Sequence, residues 1–175
     1  MANIQKKYVG ILGGSFDPAH KGHLGISKEA KKLYKLKYII WAITKKNPLK
    51  KKSNTSLNER LKSAKKIIGL NKFIKLRFFE RKINSNKSID LINFLQKKNK
   101  NIELYFIIGA DNLINFHHWH KWKKISEKTT ILVFDRQGFK SKSIKSICFK
   151  KLNKKSLNFI MFKKINISSS KLRNI

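Results

Sequence analysis

The run Tyr8-Val9-Gly10-Ile11-Leu12-Gly13 ends on paired glycines, and Gly22 soon afterwards opens a helical pattern. A short buried strand that turns on glycine and feeds a helix is the opening unit of an α/β domain. The alternation continues along the chain. Leu24, Ile26, Ala30 and Leu33 give an apolar face to a helix over 22–34, and 38–43 reads as a second strand. Residues 44–55 form a basic loop around Asn47-Pro48. Ser56 with Glu59 has capping-box spacing for a helix reaching Ile68. Further strands are predicted over 73–79, 102–108, 130–134 and 157–162, with helices over 88–97 and 119–127. The weakly patterned, basic stretch 137–155 reads as loop-rich. The expectation is a single α/β domain over 1–175, a parallel sheet flanked by helices. Ligands then belong outside the carboxyl ends of the strands.

Composition narrows the function classes. The chain of 175 residues carries a formal net charge of +33. Its 37 Lys against 5 Arg, together with abundant Asn and Ile, follow A/T-rich codons. A nucleic-acid reader would favour Arg, whose planar fork suits phosphates and base edges. No specific nucleic-acid partner is therefore expected, although the charge helps attract anionic nucleotides. No apolar run is long enough for a membrane span, and the first residues lack a signal-peptide pattern. The single Cys148 cannot form an internal disulfide, which points to a cytoplasmic location.

Three stretches carry chemistry. The amides of Gly13, Gly14, Ser15 and Phe16 can form an anion-binding concavity. Gly22 and His23 open a helix whose free N–H groups favour a phosphate, and His20 lies three residues before His23. At the far end, Ser168, Ser169 and Ser170 offer hydroxyls and amides, and Arg173 can clamp phosphate oxygens. Taken alone, that second stretch would be an ordinary N-cap with a basic tail. The third runs from Gly109 to Trp122. Asp111 leaves a strand end, where it can accept from ribose or adenine. Trp119 can stack on a flat ring, with the amides at its helix start receiving a ring carboxylate. Trp122 reads as core. His117, His118 and His120 have no cysteine or carboxylate to complete a metal site, so no protein metal ligand is expected.

The ordered string Gly13-Gly14-Ser15-Phe16-Asp17-Pro18-Ala19-His20-Lys21-Gly22-His23 resembles the ATP signature of the HxGH nucleotidyltransferases. Ile167-Ser168-Ser169-Ser170-Lys171-Leu172-Arg173 resembles their second signature, with Ser170 in place of threonine. Within this superfamily the chain is most similar to the bacterial nicotinate mononucleotide adenylyltransferases, over nearly its whole length. The resemblance implies a Rossmann-like fold and transfer of the adenylyl group of ATP to nicotinate mononucleotide, with Mg²⁺ held mainly by the ATP phosphates. It implies that His20, His23, Lys46 and Arg173 stabilise the transition state, and that Gly109 and Asp111 lie near the ATP nucleoside. Trp119 and His120 come beside the nicotinate ring, with Asn47, Lys50, Ser88 and Arg136 as further acceptor-site candidates. One departure is Lys87, where the family often has tyrosine. A monomer or small homo-oligomer is expected. The rival readings are a phosphopantetheine adenylyltransferase and a basic nucleic-acid-binding protein.

Overall fold

The computed structural model describes residues 6–45, 55–152 and 155–162. Strand β1 (Lys7–Gly14) lies at the centre of a six-stranded parallel sheet. It pairs on one side with β2 (Tyr38–Ile43) and on the other with β4 (Ile102–Gly109). The edges are completed by β3 (Ile74–Arg77) beyond β2, and by β5 (Thr130–Phe134) and β6 (Leu157–Ile160) beyond β4. The order is thus β3-β2-β1-β4-β5-β6. Leu12 stands level with both Trp41 and Ile107, which fixes the registers of the three central strands.

Side chains alternate between the two faces of the sheet, as a period of two requires. Val9, Ile11, Leu104, Phe106 and Ile108 join one core layer, whereas Leu12, Ile39, Trp41 and Ile107 join the other. The second layer is covered by α1 (Lys21–Tyr34) and α2 (Leu57–Ile68), which contribute Ala30, Ala64 and Ile68. After the short α3 (Glu80–Ile83), the first layer is covered by α4 (Ser88–Lys98), α5 (Ala110–Ile114) and α6 (Trp122–Lys128). The capping box of α2 is present: Glu59 N–H donates to Ser56 Oγ, and Ser56 N–H donates to Glu59 Oε2.

Several boundaries differ from the sequence expectation. The third strand is limited to Ile74–Arg77, because Phe79 already caps α3. The helix expected from Trp119 starts at Trp122, after a 3-10 turn over Phe116–His118 and a left-handed Lys121 at φ 51°. The stretch expected to be loop-rich holds α7 (Lys140–Ile144) and α8 (Ile147–Lys151). Phe139 and Cys148 anchor that pair of helices to the core between solvated lysines. Among the described residues no helix is long and apolar enough to cross a membrane.

Candidate active site

Strand order reverses between β1 and β4, so the segments that leave their carboxyl ends go to opposite faces and open a crevice. Gly13 and Gly14 do not make the turn themselves. They extend β1 and stand opposite Ala42 and Ile43. The chain turns one step later, where Phe16 takes a left-handed φ of 48°. That conformation is unfavourable for a side-chain-bearing residue by roughly 1–2 kcal/mol. It is held by stacking of the Phe16 ring on the buried Trp41, 4.9 Å between centroids at 15°. A Cβ on Gly13 would meet no atom within 4 Å, so the fold does not require glycine there. What glycine provides is bare backbone facing the crevice.

His20 is the N-cap of α1. Its Nδ1 accepts from Gly22 N–H at 3.1 Å, and His23 Nδ1 accepts from His20 N–H at 3.2 Å. A ring nitrogen that accepts carries no hydrogen, so both imidazoles bear theirs on Nε2. Two Nε2–H donors thus come from rings 3.8 Å apart at the start of one helix. His20 is buried and its pKa is lowered to about 4, first by desolvation and then by the charge of Arg136. It is a neutral donor at neutral pH. His23 is fixed from behind: Ser27 Oγ–H donates to His23 O, and Trp41 Nε1–H donates to Ser27 Oγ, both at 2.8 Å. The His23 ring packs on Phe16 at 4.8 Å.

Across the crevice, Asp111 lies in the first turn of α5 and forms an ion pair with Arg136. A Cβ on Gly109 would fall 2.5 Å from Asp111 Oδ1, so the carboxylate folds over a place only glycine leaves empty. Arg136 was expected on the acceptor side. Its guanidinium holds Asp111, and its charge contributes to the lowered pKa of His20.

A shallow recess open to solvent lies beside Gly13 and is lined by Thr44, Glu80, Asn86, Ser88 and Phe106 among others. Lys87 lines it too, in the place the family often gives to tyrosine, and its N–H donates to Ser85 Oγ. Trp119 does not line the recess. It packs behind it, on Phe106 and Phe116 at 6.0 and 5.2 Å, half-buried, with an indole N–H that finds no acceptor among the described residues. The helix start expected to offer amides around it is absent: Trp119 N–H donates to Phe116 O, and α6 begins three residues later. His120 is exposed next to it. Lys46, Asn47, Lys50, Ser168, Ser169, Ser170 and Arg173 lie outside the described residues.

One residue escaped sequence reasoning. Arg60, on α2, is only 2% exposed. Its Nη1 donates to Ser15 O and Thr44 O, both at 2.7 Å, and its Nη2 to Lys45 O at 3.1 Å. The signal was available: Arg60, Ala64 and Ile68 share the buried stripe of α2, an arginine in apolar register. Arg60 is held charged by Asp17 and Glu80 against a desolvation that lowers its pKa.

The cytidylyltransferase-like family model matches residues 11–175. A protein of Pelagibacter ubique named "Probable nicotinate-nucleotide adenylyltransferase" is 64% identical over 99% of this chain and 96% of its own length. A protein of the same name from Nitratiruptor is 38% identical over 75% of each chain. Among solved structures, the Plasmodium falciparum nicotinic acid mononucleotide adenylyltransferase complexed with NaAD has the same fold. It matches with a TM-score of 0.75 and 22% identity, over 96% of this chain and 83% of that one. The crevice at the sheet's switch point and these sequence relatives together place the chain in the cytidylyltransferase-like family, as a member of its nicotinate-nucleotide adenylyltransferase group.

Proposed function

We propose that this protein transfers the adenylyl group of ATP to nicotinate mononucleotide, releasing pyrophosphate and forming nicotinate adenine dinucleotide. The observation that carries the reading is the pair of imidazoles tied by Nδ1 to the start of α1, each left with Nε2–H as its side-chain donor. Such an arrangement serves a reaction whose transition state gathers charge on phosphate oxygens and needs neither a protein nucleophile nor a proton relay.

A phosphate oxygen of the mononucleotide attacks the α-phosphorus of ATP in line. A new P–O bond forms as the bond from the α-phosphorus to the bridging oxygen breaks, and pyrophosphate leaves with that electron pair. His20 and His23 donate to α-phosphate and leaving-group oxygens, with Lys46 and Arg173 adding positive charge. The amides of Ser15 and Phe16 and the start of α1 hold the phosphates. Ser168, Ser169 and Ser170 contribute hydroxyl and amide donors to phosphate oxygens. Asp111 meets the nucleoside. Arg136, which pairs with Asp111 and whose charge is felt by His20, acts on the phosphates. The acceptor is received by the recess that Ser88 lines, and Asn47, Lys50, Trp119 and His120 are its further candidate contacts.

Mg²⁺ is expected to accompany ATP, held mainly by phosphates and water. When bound, the ion neutralises charge on the triphosphate and its departing pyrophosphate.

The test is pyrophosphate release from ATP, with nicotinate mononucleotide, nicotinamide mononucleotide and phosphopantetheine offered separately. Turnover with a pyridine mononucleotide is expected. Release with phosphopantetheine alone, or with none of the three, overturns the reading.

A further inference from the structure

Two loops of the crevice come from different strands and are joined through one buried charge. Gly14 O accepts from Thr44 N–H at 2.9 Å, the only direct backbone tie between the end of β1 and the residue after β2 among the described residues. Arg60 completes the joint from beneath by donating to Ser15 O on the first loop and to Thr44 O and Lys45 O on the second. The Thr44–Lys45 peptide is gripped at both ends, because its N–H donates to Glu80 Oε1 at 3.0 Å. The Ser15–Phe16 peptide is gripped at its carbonyl.

A trans peptide points its N–H opposite to its C=O. With Ser15 O drawn inward to the guanidinium, Phe16 N–H faces away from Arg60, and no backbone carbonyl among the described residues accepts from it. Burying a guanidinium is expensive, and its neighbours on the stripe, Ala64 and Ile68, show that the site accepts apolar side chains. Anchoring α2 therefore does not require an arginine. Orienting three carbonyls on two loops does, since only a planar fork reaches them together.

We propose that Arg60 is a positioning residue for adenylyl transfer: it turns the Ser15–Phe16 peptide so that Phe16 N–H is presented to a phosphate oxygen, and it sets the distance between that peptide and the loop after β2. The inference rests on the adenylyl-transfer reading. It adds a residue that touches no substrate and acts through backbone it holds.

The experiment compares Arg60→Lys and Arg60→Gln with Ile68→Ala, which removes buried packing from the same helix face without reaching either loop. Thermal midpoints and steady-state pyrophosphate release are measured for all. The arginine variants should lose about tenfold or more in kcat, since misplaced donors are costly even when displaced by about 1 Å. KM for the mononucleotide should change by a smaller factor than kcat, because of the three residues that Arg60 holds only Thr44 lines the acceptor recess. Ile68→Ala should keep kcat while losing at least as much thermal stability. Equal kcat in the arginine variants and Ile68→Ala overturns the proposal. Should the arginine variants not fold, the nitrogen-labelled amide of Phe16 in the unaltered protein decides. Its signal moves downfield when a non-hydrolysable ATP analogue binds, and a stationary signal overturns the proposal. Unaltered protein that releases no pyrophosphate with any mononucleotide defeats the functional reading instead, which separates the two failures.

Discussion

His20 does two jobs with two nitrogens. Nδ1 caps α1, and Nε2–H remains for a ligand. The jobs can be separated. His20→Asn keeps a capping oxygen and removes the imidazole donor, whereas His20→Ala removes both. The Asn variant should fold with nearly unchanged thermal midpoint yet lose on the order of 10²-fold in kcat, as for other lost transition-state donors. The Ala variant should lose a further ~1 kcal/mol of stability for the missing cap. Acid titration checks the same assignment. The unfolded chain binds this proton below about pH 6.5, the folded chain only near 4. His20's contribution to stability is therefore complete above about pH 6.5 and lost as pH falls towards 4. Thermal midpoints measured across that window should sag in the natural protein and sag less in His20→Asn. The two histidines were legible in the sequence because their spacing is local. Their tautomer was not, since it depends on which backbone N–H each ring meets.

At the scale of elements, the strands read well and the short helices did not. Continuous apolar runs such as Tyr38–Ile43 and Thr130–Phe134 leave little choice, and the structure gives those bounds unchanged. Helices α5, α7 and α8 have five residues each, too few for an apolar period to show against the surrounding lysines. The late start of α6 follows from Lys121, whose left-handed backbone no propensity argument favours. The helix start expected beside Trp119 was lost with it, and the pairing of Arg136 with Asp111 was not legible because Asp111 lies at another strand's end. The ends of β1 and β4 make a paired test. Gly13→Ala puts a methyl into open space beside the crevice, so stability should hold within about 0.5 kcal/mol. KM for ATP should rise severalfold if a nucleotide approaches there. Gly109→Ala forces Asp111 aside and releases Arg136, and should lower kcat more than it raises KM. Reversal of that contrast in steady-state kinetics would argue against the placement of the nucleotide along β1.

For the whole molecule, the charge of +33 is the property with the longest reach. Among the described residues few acidic groups offset it: the ion pairs are Lys6 with Glu103 and Arg136 with Asp111. Solvated lysines do little for the fold, yet their summed field acts on any anion that approaches. KM for ATP should therefore climb as salt is raised from low ionic strength towards the physiological range, where the Debye length shrinks to ~8 Å. The turnover number at saturation should change much less, because donors inside the crevice are screened less than surface charges. A KM indifferent to salt would mean that the lysines only record coding bias. The sheet order, by contrast, could not be read from the sequence directly, because strand neighbours are set by crossovers rather than by adjacency in the chain.

The central place of β1 has a consequence for how the protein matures. The strand that bears the histidine segment pairs Val9 with Tyr38 early in the chain, but Lys7 with Ile102 only after more than half of the polypeptide has been made. Such distant closure is slow and comes with the cooperative transition. A partly assembled chain then has no nucleotide pocket to offer. Nucleotide present during refolding should leave early species untouched and draw the population towards the finished state by mass action alone.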